Sequence, residues 1–171
     1  MYGQTEREIK SVCFTGHRSL TDAEQSLLTR RLNILLRQLI IQHGTVNFYA
    51  GGALGFDTLA AKTVLSLKNE FPDIKLNLIL PCESQDKNWT EKQQFIYRVI
   101  KVRADSVRIL SPYYYNGCMQ VRNHELLAAS DLCIAYLRNG TSEGGSLSTV
   151  LQAARMNIAT INLAKPDMEV L

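Results

Sequence analysis

Cysteine pairs at metal-binding or redox spacing are missing from this sequence. Its four cysteines, at positions 13, 82, 118 and 133, include no Cys-x-x-Cys pair. A zinc site or a disulfide framework is therefore not expected. Cys13 and Cys133 lie in apolar runs, where a reduced thiol packs as a small hydrophobe. We expect no bound metal, and a reducing cytoplasm is the setting that fits this cysteine usage.

Long apolar runs and a strong charge of one sign are missing as well. No apolar stretch approaches the roughly 20 residues of a membrane-spanning helix, and residues 1–10 carry acids without the apolar core of a signal peptide. The net charge is only +3, from 19 basic and 16 acidic side chains. Nucleic-acid binders usually concentrate Lys and Arg on one face. Neither a membrane nor a nucleic acid is therefore the expected partner.

The composition is that of a globular protein, with 46% hydrophobic and 20% charged residues over a length of 171. Along the sequence, short apolar runs alternate with longer amphipathic ones. The predicted strands are Ser11–Thr15, Val46–Ala50, Lys75–Leu80, Ser106–Leu110, Leu132–Leu137 and Ala159–Leu163. The predicted helices are Thr21–Gln42, Phe56–Asn69, Asn88–Arg103, Gln120–Ala129 and Ser146–Met156.

This alternation predicts consecutive βαβ units. Nearly continuous apolar strands are typical of parallel strands covered on both faces, and right-handed crossovers join such strands into a doubly wound sheet. We therefore predict a Rossmann-like α/β fold, with a mostly parallel six-stranded sheet and helices on both faces. No repeat, low-complexity segment or linker interrupts the pattern, so residues 1–171 are predicted to form a single domain. Ligands of such folds bind beyond the carboxyl ends of the strands.

The loop after the first predicted strand, in the stretch FTGHRS, combines a glycine, an imidazole and a guanidinium. Gly16 would let a ligand approach the backbone, and Arg18 would contact a phosphate or a ribose. His17 is interpreted as a supporting hydrogen-bonder, because no Ser-His-Asp arrangement or metal-ligand spacing includes it.

Two further loops, in AGGALGFDTLAA and EGGS, open predicted helices with glycines. Free backbone N–H groups at such helix starts attract phosphate. The alternatives are a tight turn in which Asp57 offsets the helix dipole, and a flexible loop capped by Ser146. The residues of these two loops that we assign to ligand binding are Gly51, Gly52, Gly55, Asp57, Gly144, Gly145, Ser146 and Thr149.

Aromatic residues near two other strand ends are candidates for stacking on a base. Trp89 lies near the start of the third predicted helix, and Tyr113 is the first of three consecutive tyrosines after the fourth strand. Arg122, in the helix that follows, would bind a phosphate bidentately. The alternatives are that Trp89 anchors packing, that the tyrosines pack on the sheet and that Arg122 is a solvated helix residue.

The motifs FTGHRS, AGGALGFDTLAA, MQVRNHELLAASD and EGGS, in this order, resemble those of the SLOG superfamily of Rossmann-like domains that bind nucleotide ligands, and of its YpsA-like branch in particular. The resemblance spans nearly the whole chain. It implies that a nucleotide or nucleotide-derived ligand binds at the carboxyl edge of the sheet and that the protein acts as a sensor or regulator. It implies no obligatory cofactor. A homodimer is also expected, because similar LOG proteins form dimers.

Two related groups imply other activities. The LOG phosphoribohydrolases carry M-x-x-R-K, similar to Met119–Asn123, and P-G-G-x-G-T-x-x-E, whose glutamate falls on Val150 or Leu151 here. Cleavage of a glycosidic bond needs a carboxylate near its oxocarbenium-like transition state, and an aliphatic residue supplies none. The DprA proteins are similar through TGHRSLT and GGALGFDTLAA and imply binding of single-stranded DNA, which the low net charge disfavours.

A hydrolase of the first kind would need a relocated carboxylate. Asp57 and Glu143 are the catalytic candidates near the predicted ligand edge, and Glu83 is a third carboxylate there. Sequence alone therefore predicts a binding site for a nucleotide-type ligand, and leaves hydrolysis of that ligand as the alternative.

Overall fold

Six strands and five helices alternate in the computed structural model of this chain, which describes residues 8–165. The strands are β1 (Ser11–Gly16), β2 (Asn47–Ala50), β3 (Lys75–Leu80), β4 (Ser106–Ile109), β5 (Leu132–Tyr136) and β6 (Ala159–Asn162). The helices are α1 (Asp22–His43), α2 (Phe56–Leu67), α3 (Glu91–Arg103), α4 (Cys118–Ala128) and α5 (Gly145–Arg155). The expectation about a signal peptide concerns residues 1–10, of which 1–7 lie outside the described range.

The strands form one sheet in the order β4-β3-β2-β1-β5-β6, and every neighbouring pair is parallel. From β1 the chain steps outward through β2, β3 and β4, and then returns to the other side of β1 with β5. The strand order therefore reverses between β1 and β5. The predicted doubly wound, Rossmann-like fold is confirmed.

Two hydrophobic cores cover the two faces of the sheet. The larger core lies under α1, α2 and α3 and includes Leu32, Leu35 and Leu39, which are fully buried. The smaller core lies under α4 and α5 and contains Leu127 and Ala153. Because all helices return antiparallel to the strands, their N-termini meet the carboxyl ends of the strands at one edge of the sheet.

Side-chain caps decide where α1 and α3 begin. In α1 the Thr21 hydroxyl accepts from the backbone N–H of Glu24, and the Glu24 carboxylate accepts from that of Thr21. Thr90 and Gln93 form the same reciprocal pair at α3, so this helix begins at Glu91 rather than at the predicted Asn88. Such capping boxes satisfy backbone donors that would otherwise lack partners.

Among residues 8–165, no helix combines the length and the apolarity that a bilayer-crossing segment requires. The four cysteines are unpaired thiols and all are buried. Within the same range, no group of three or more His, Cys, Asp or Glu side chains is arranged to hold a metal ion.

Candidate ligand-binding site

A cleft of about 270 Å³ lies beside the carboxyl end of β1, where the strand order reverses. Its walls come from the end of β1, the start of α2, one face of α4 and the loop before α5. In doubly wound sheets this is the position at which ligands bind. The predicted site residues that line the cleft are Gly16, His17, Arg18, Asp57, Arg122, Glu143, Gly144, Gly145 and Ser146.

The start of α5 lines this cleft without a side-chain cap. Gly144 is the residue before the helix, and within residues 8–165 no side chain caps the free backbone N–H groups of its first turn. A Cβ added at Gly144 or Gly145 would meet no atom within 4 Å. An uncapped and open first turn offers backbone N–H groups and the positive end of the helix dipole to an anion.

Arg122 places a buried positive charge in the wall of the cleft, and only 4% of the residue is exposed. Its Nη1 donates to the carbonyl oxygen of Gly51, and its Nε donates to Oδ1 of Asn123 at 2.7 Å. Its Nη2 lies 4.0 Å from Sδ of Met119. Arg122 takes part in none of the six ion pairs formed within residues 8–165. It is therefore not a solvated helix residue, and no direct ion pair neutralises its charge.

Asp57 is a buried carboxyl group in the same cleft. Its Oδ2 accepts hydrogen bonds from the backbone N–H of Gly51 at 2.9 Å and of Ala53 at 3.1 Å. Burial raises the pKa of Asp57, while the charges of Arg122 and Arg18 and the two hydrogen bonds act in the opposite direction. The carboxyl group thus stabilises the loop after β2, as the tight-turn alternative requires, and still borders the cleft.

The start of α2 is closed by protein. The backbone N–H of Phe56 donates to the carbonyl oxygen of His17 at 3.0 Å. A Cβ at Gly55 would overlap the backbone of Arg18. The loop after β1 therefore occupies the place where a phosphate was expected at this helix. Of the two glycine-opened helix starts predicted to bind phosphate, that of α5 is the open one.

Close packing also explains the other glycines near this helix. A Cβ at Gly51 would overlap the guanidinium of Arg122, and one at Gly52 would strike side chains of the core between β3 and α3. A Cβ at Gly16 would lie 2.6 Å from the ring of Phe56. Gly16 borders the cleft, whereas Gly51, Gly52 and Gly55 do not.

Trp89, Tyr113 and Thr149 also lie outside the lining of the cleft. Trp89 packs edge-on against Tyr97 with ring centroids 5.1 Å apart, as a packing anchor does. Tyr113 is 78% exposed and does not pack on the sheet. The buried Thr149 hydroxyl donates to the carbonyl oxygen of Gly145 at 2.8 Å. Neither aromatic side chain borders the cleft as a stacking surface.

Thr15, Asn123 and Thr141 line the cleft but were not assigned from the sequence. Asn123 links two helices, because its Nδ2 donates to Oγ1 of Thr149 at 2.9 Å while its Oδ1 accepts from Arg122. Its position next to Arg122 in the motif was a usable signal. A single threonine in a strand or a loop carries no such signal.

His17 connects the loop after β1 to the loop after β5. Its Nε2 accepts from the backbone N–H of Arg138 at 3.1 Å, so the neutral ring carries its proton on Nδ1. The ring also packs edge-on against Tyr136, with centroids 5.7 Å apart. Burial and the charge of Arg138 lower the pKa of His17. His17 is thus a hydrogen-bonding support between two loops that border the cleft.

Arg138 is itself held by a bidentate ion pair with Glu24. Its Nε and Nη2 donate to the two carboxylate oxygens at 2.6 and 2.8 Å. The Tyr136 hydroxyl and the Thr21 backbone N–H donate to the same carboxylate. These hydrogen bonds hold the pKa of Glu24 far below its usual range. One glutamate therefore both caps α1 and fixes the loop before α5.

Lowering the pH from about 8 to about 5 is expected to reduce the free energy of unfolding through His17. Its pKa in the folded protein lies below the ordinary value of 6.5, so the folded state binds fewer protons than the unfolded state in this range. The contribution of His17 is complete above pH 6.5 and is lost as the pH falls toward the folded pKa. The loss is about 1 kcal/mol, the net value of a hydrogen bond that a protonated ring cannot accept.

Urea denaturation at both pH values measures this loss. The variant His17→Gln keeps a hydrogen-bond acceptor but does not titrate, so its stability should change less between the two pH values. An equal change in the variant and the parent protein would show that His17 is not the responsible group.

The chain matches the YpsA family model, described as the YspA SLOG family, over residues 12–165. It is 31% identical to a UPF0398 protein of Shouchella clausii over 141 residues, which are 76% of this chain and 74% of that protein. A UPF0398 protein of Staphylococcus saprophyticus is 33% identical over 132 residues, 72% of this chain and 70% of the relative. A match to a UPF0398 protein of Brevibacillus brevis, 39% identical over 82 residues, spans only 44% of that relative's length.

Proposed function

This chain belongs to the YspA SLOG family, as its motifs predicted, and from that premise we propose that it binds the phosphate of a nucleotide or nucleotide-derived ligand in the cleft beside β1. The observation that carries the proposal is Arg122, a buried guanidinium without an ion pair, in the same cleft as the uncapped start of α5. A cation and a helix N-terminus give an anion two kinds of partner, charge-assisted hydrogen bonds and the helix dipole.

Arg18 adds a second cation at the mouth of the cleft. It is exposed and forms no ion pair within the described residues. Met119 and Leu126 supply apolar surface in the same cleft, on which a sugar or a base can pack. The combination suits an organic phosphate better than an inorganic one, since ligand sites typically pair apolar surface with a few convergent polar groups.

Hydrolysis of the ligand is the second candidate, and Asp57 is the observation that favours it. A buried carboxyl group with a raised pKa, placed beside a cation in a cleft, is typical of acid–base catalysts. Its Oδ2, however, already accepts two backbone hydrogen bonds, and Glu143 is exposed. Binding alone, as a sensor or regulator, therefore accounts for the site without requiring either carboxyl group to act as a catalyst.

A thermal-shift screen with nucleotides, dinucleotides and cyclic nucleotides tests the proposal. A ligand at about 100 times its dissociation constant adds about 2.7 kcal/mol of stability, which raises the melting temperature by several degrees. The same samples are then analysed by chromatography for free base. Release of base that Asp57→Asn abolishes would establish hydrolysis, because asparagine still accepts the loop hydrogen bonds. No shift with any nucleotide would refute binding.

A further inference from the structure

A second pocket, of about 500 Å³, lies between the starts of α1, α2 and α3, and Arg18 lines both this pocket and the cleft. We call it the accessory pocket. It is lined, among others, by Arg18, Leu20, Thr58, Leu59, Lys62 and Gln93. Arg18 is the one residue common to the two linings, so the two cavities meet at the loop that follows β1.

The charged residues that line the accessory pocket are all of one sign. Its lining contains Arg18 and Lys62 and no Asp or Glu. Neither cation belongs to an ion pair of the described chain. The two first-turn acids of α1, Asp22 and Glu24, are not part of this lining, and Glu24 is held by Arg138. An occupant of the pocket would therefore be anionic or would carry an anionic group.

The volumes of the cleft and the accessory pocket also favour a ligand that has two parts. Sites for organic ligands typically measure about 300–1,000 Å³, and the cleft, at about 270 Å³, lies at the lower end of that range. The accessory pocket, at about 500 Å³, lies within it. A ligand with two parts, joined beside Arg18, would use both cavities and would place its linking phosphates next to a free guanidinium.

We propose that the accessory pocket binds the second half of the ligand, so that the ligand class is a nucleotide carrying a further group through a pyrophosphate, and not a nucleoside monophosphate. This inference rests on the proposed function of the cleft. The phosphate on the nucleoside side of the pyrophosphate lies at the start of α5 beside Arg122. The second phosphate of the pyrophosphate lies at Arg18, and the attached group lies between Leu59 and Lys62.

Isothermal titration with two matched pairs of probes tests this assignment: AMP with ADP-ribose, and GMP with GDP-mannose. In at least one pair the pyrophosphate compound is expected to bind at least tenfold more tightly than the monophosphate. Lys62→Glu should remove this gain and leave the affinity for the monophosphate within twofold. Lys10→Glu makes the same charge change just before β1, at the opposite edge of the sheet, and should change neither affinity.

Equal affinities within both pairs, or a Lys62→Glu variant that binds every probe as the parent protein does, would overturn the accessory pocket and leave the cleft standing. A variant that loses both members of a pair equally would also overturn it. Failure of all four probes to bind would instead remove the proposed function. Melting temperatures of the two lysine variants verify that both are folded. This is expected because Lys10 and Lys62 are both exposed.

Discussion

Gly145→Asp is expected to abolish binding of phosphate-bearing ligands and to leave the protein folded. Gly145 is the first residue of α5, and a Cβ there would meet no atom within 4 Å, so the aspartate side chain fits. A carboxylate in the first turn of a helix is favourable by about 0.3–1 kcal/mol, so the melting temperature should stay equal or rise. The same carboxylate takes the place of the phosphate and repels it.

The expected change is an increase of the dissociation constant of about 100-fold, which corresponds to about 2.8 kcal/mol. It is measured by isothermal titration with whichever nucleotide the thermal-shift screen identifies. Ser148→Asp is the matched control, since it adds the same charge to α5 at an exposed position outside the lining of the cleft. Unchanged affinity in Gly145→Asp, or an equal loss in Ser148→Asp, would show that the start of α5 does not hold the phosphate.

Gly55→Ala is expected to cost about 2–5 kcal/mol of the free energy of unfolding, a larger loss of stability than any other substitution named for this protein should cause. Gly55 has φ of 74°, a left-handed conformation that costs an alanine about 1–2 kcal/mol. The added methyl group would also overlap the backbone of His17 and Arg18. Overpacking of this kind typically costs about 1–3 kcal/mol more.

Two other glycine variants separate these contributions in urea denaturation. Gly140 has φ of 79°, but a methyl group added there would meet no atom within 4 Å, so Gly140→Ala should show the conformational cost alone. Gly145→Ala has neither the positive φ nor a neighbour and should lose no stability. If Gly55→Ala lost no more than Gly140→Ala, the loop after β1 would not pack closely on the start of α2.

The elements of this fold could be predicted because their signals are local. β3 was predicted and found at Lys75–Leu80, and α1, predicted at Thr21–Gln42, is found at Asp22–His43 between the cap residues Thr21 and Gly44. The start of α3 was wrong because Asn88 and Thr90 are both good cap residues. The helix begins after the residue that pairs with Gln93, which is Thr90. The spacing of residues in the sequence does not show which of two neighbouring cap residues forms this pair.

The site was only partly predictable, for a different reason. Parallel strands end at one edge, so the loops that border this edge follow from the fold class. Arg18, Arg122 and Gly145 line the cleft at that edge. Which way each loop faces is set by contacts between distant residues. Gly55 meets the loop of Arg18, and Glu24 holds Arg138 across 114 residues of chain. Single residues carry no signal of such partners.

The position of β1 between β2 and β5 has a consequence for the folding order. β1 pairs with β2 early in the chain, but Val12 meets Leu132 only after an intervening segment of about 120 residues has been formed. Until then an apolar central strand keeps one edge unpaired, and such long-range pairings are slow and prone to aggregation. The cleft is assembled in that same closing step, because its walls come from both sides of β1. A bound ligand would therefore stabilise only the closed sheet and oppose the separation of β1 from β5.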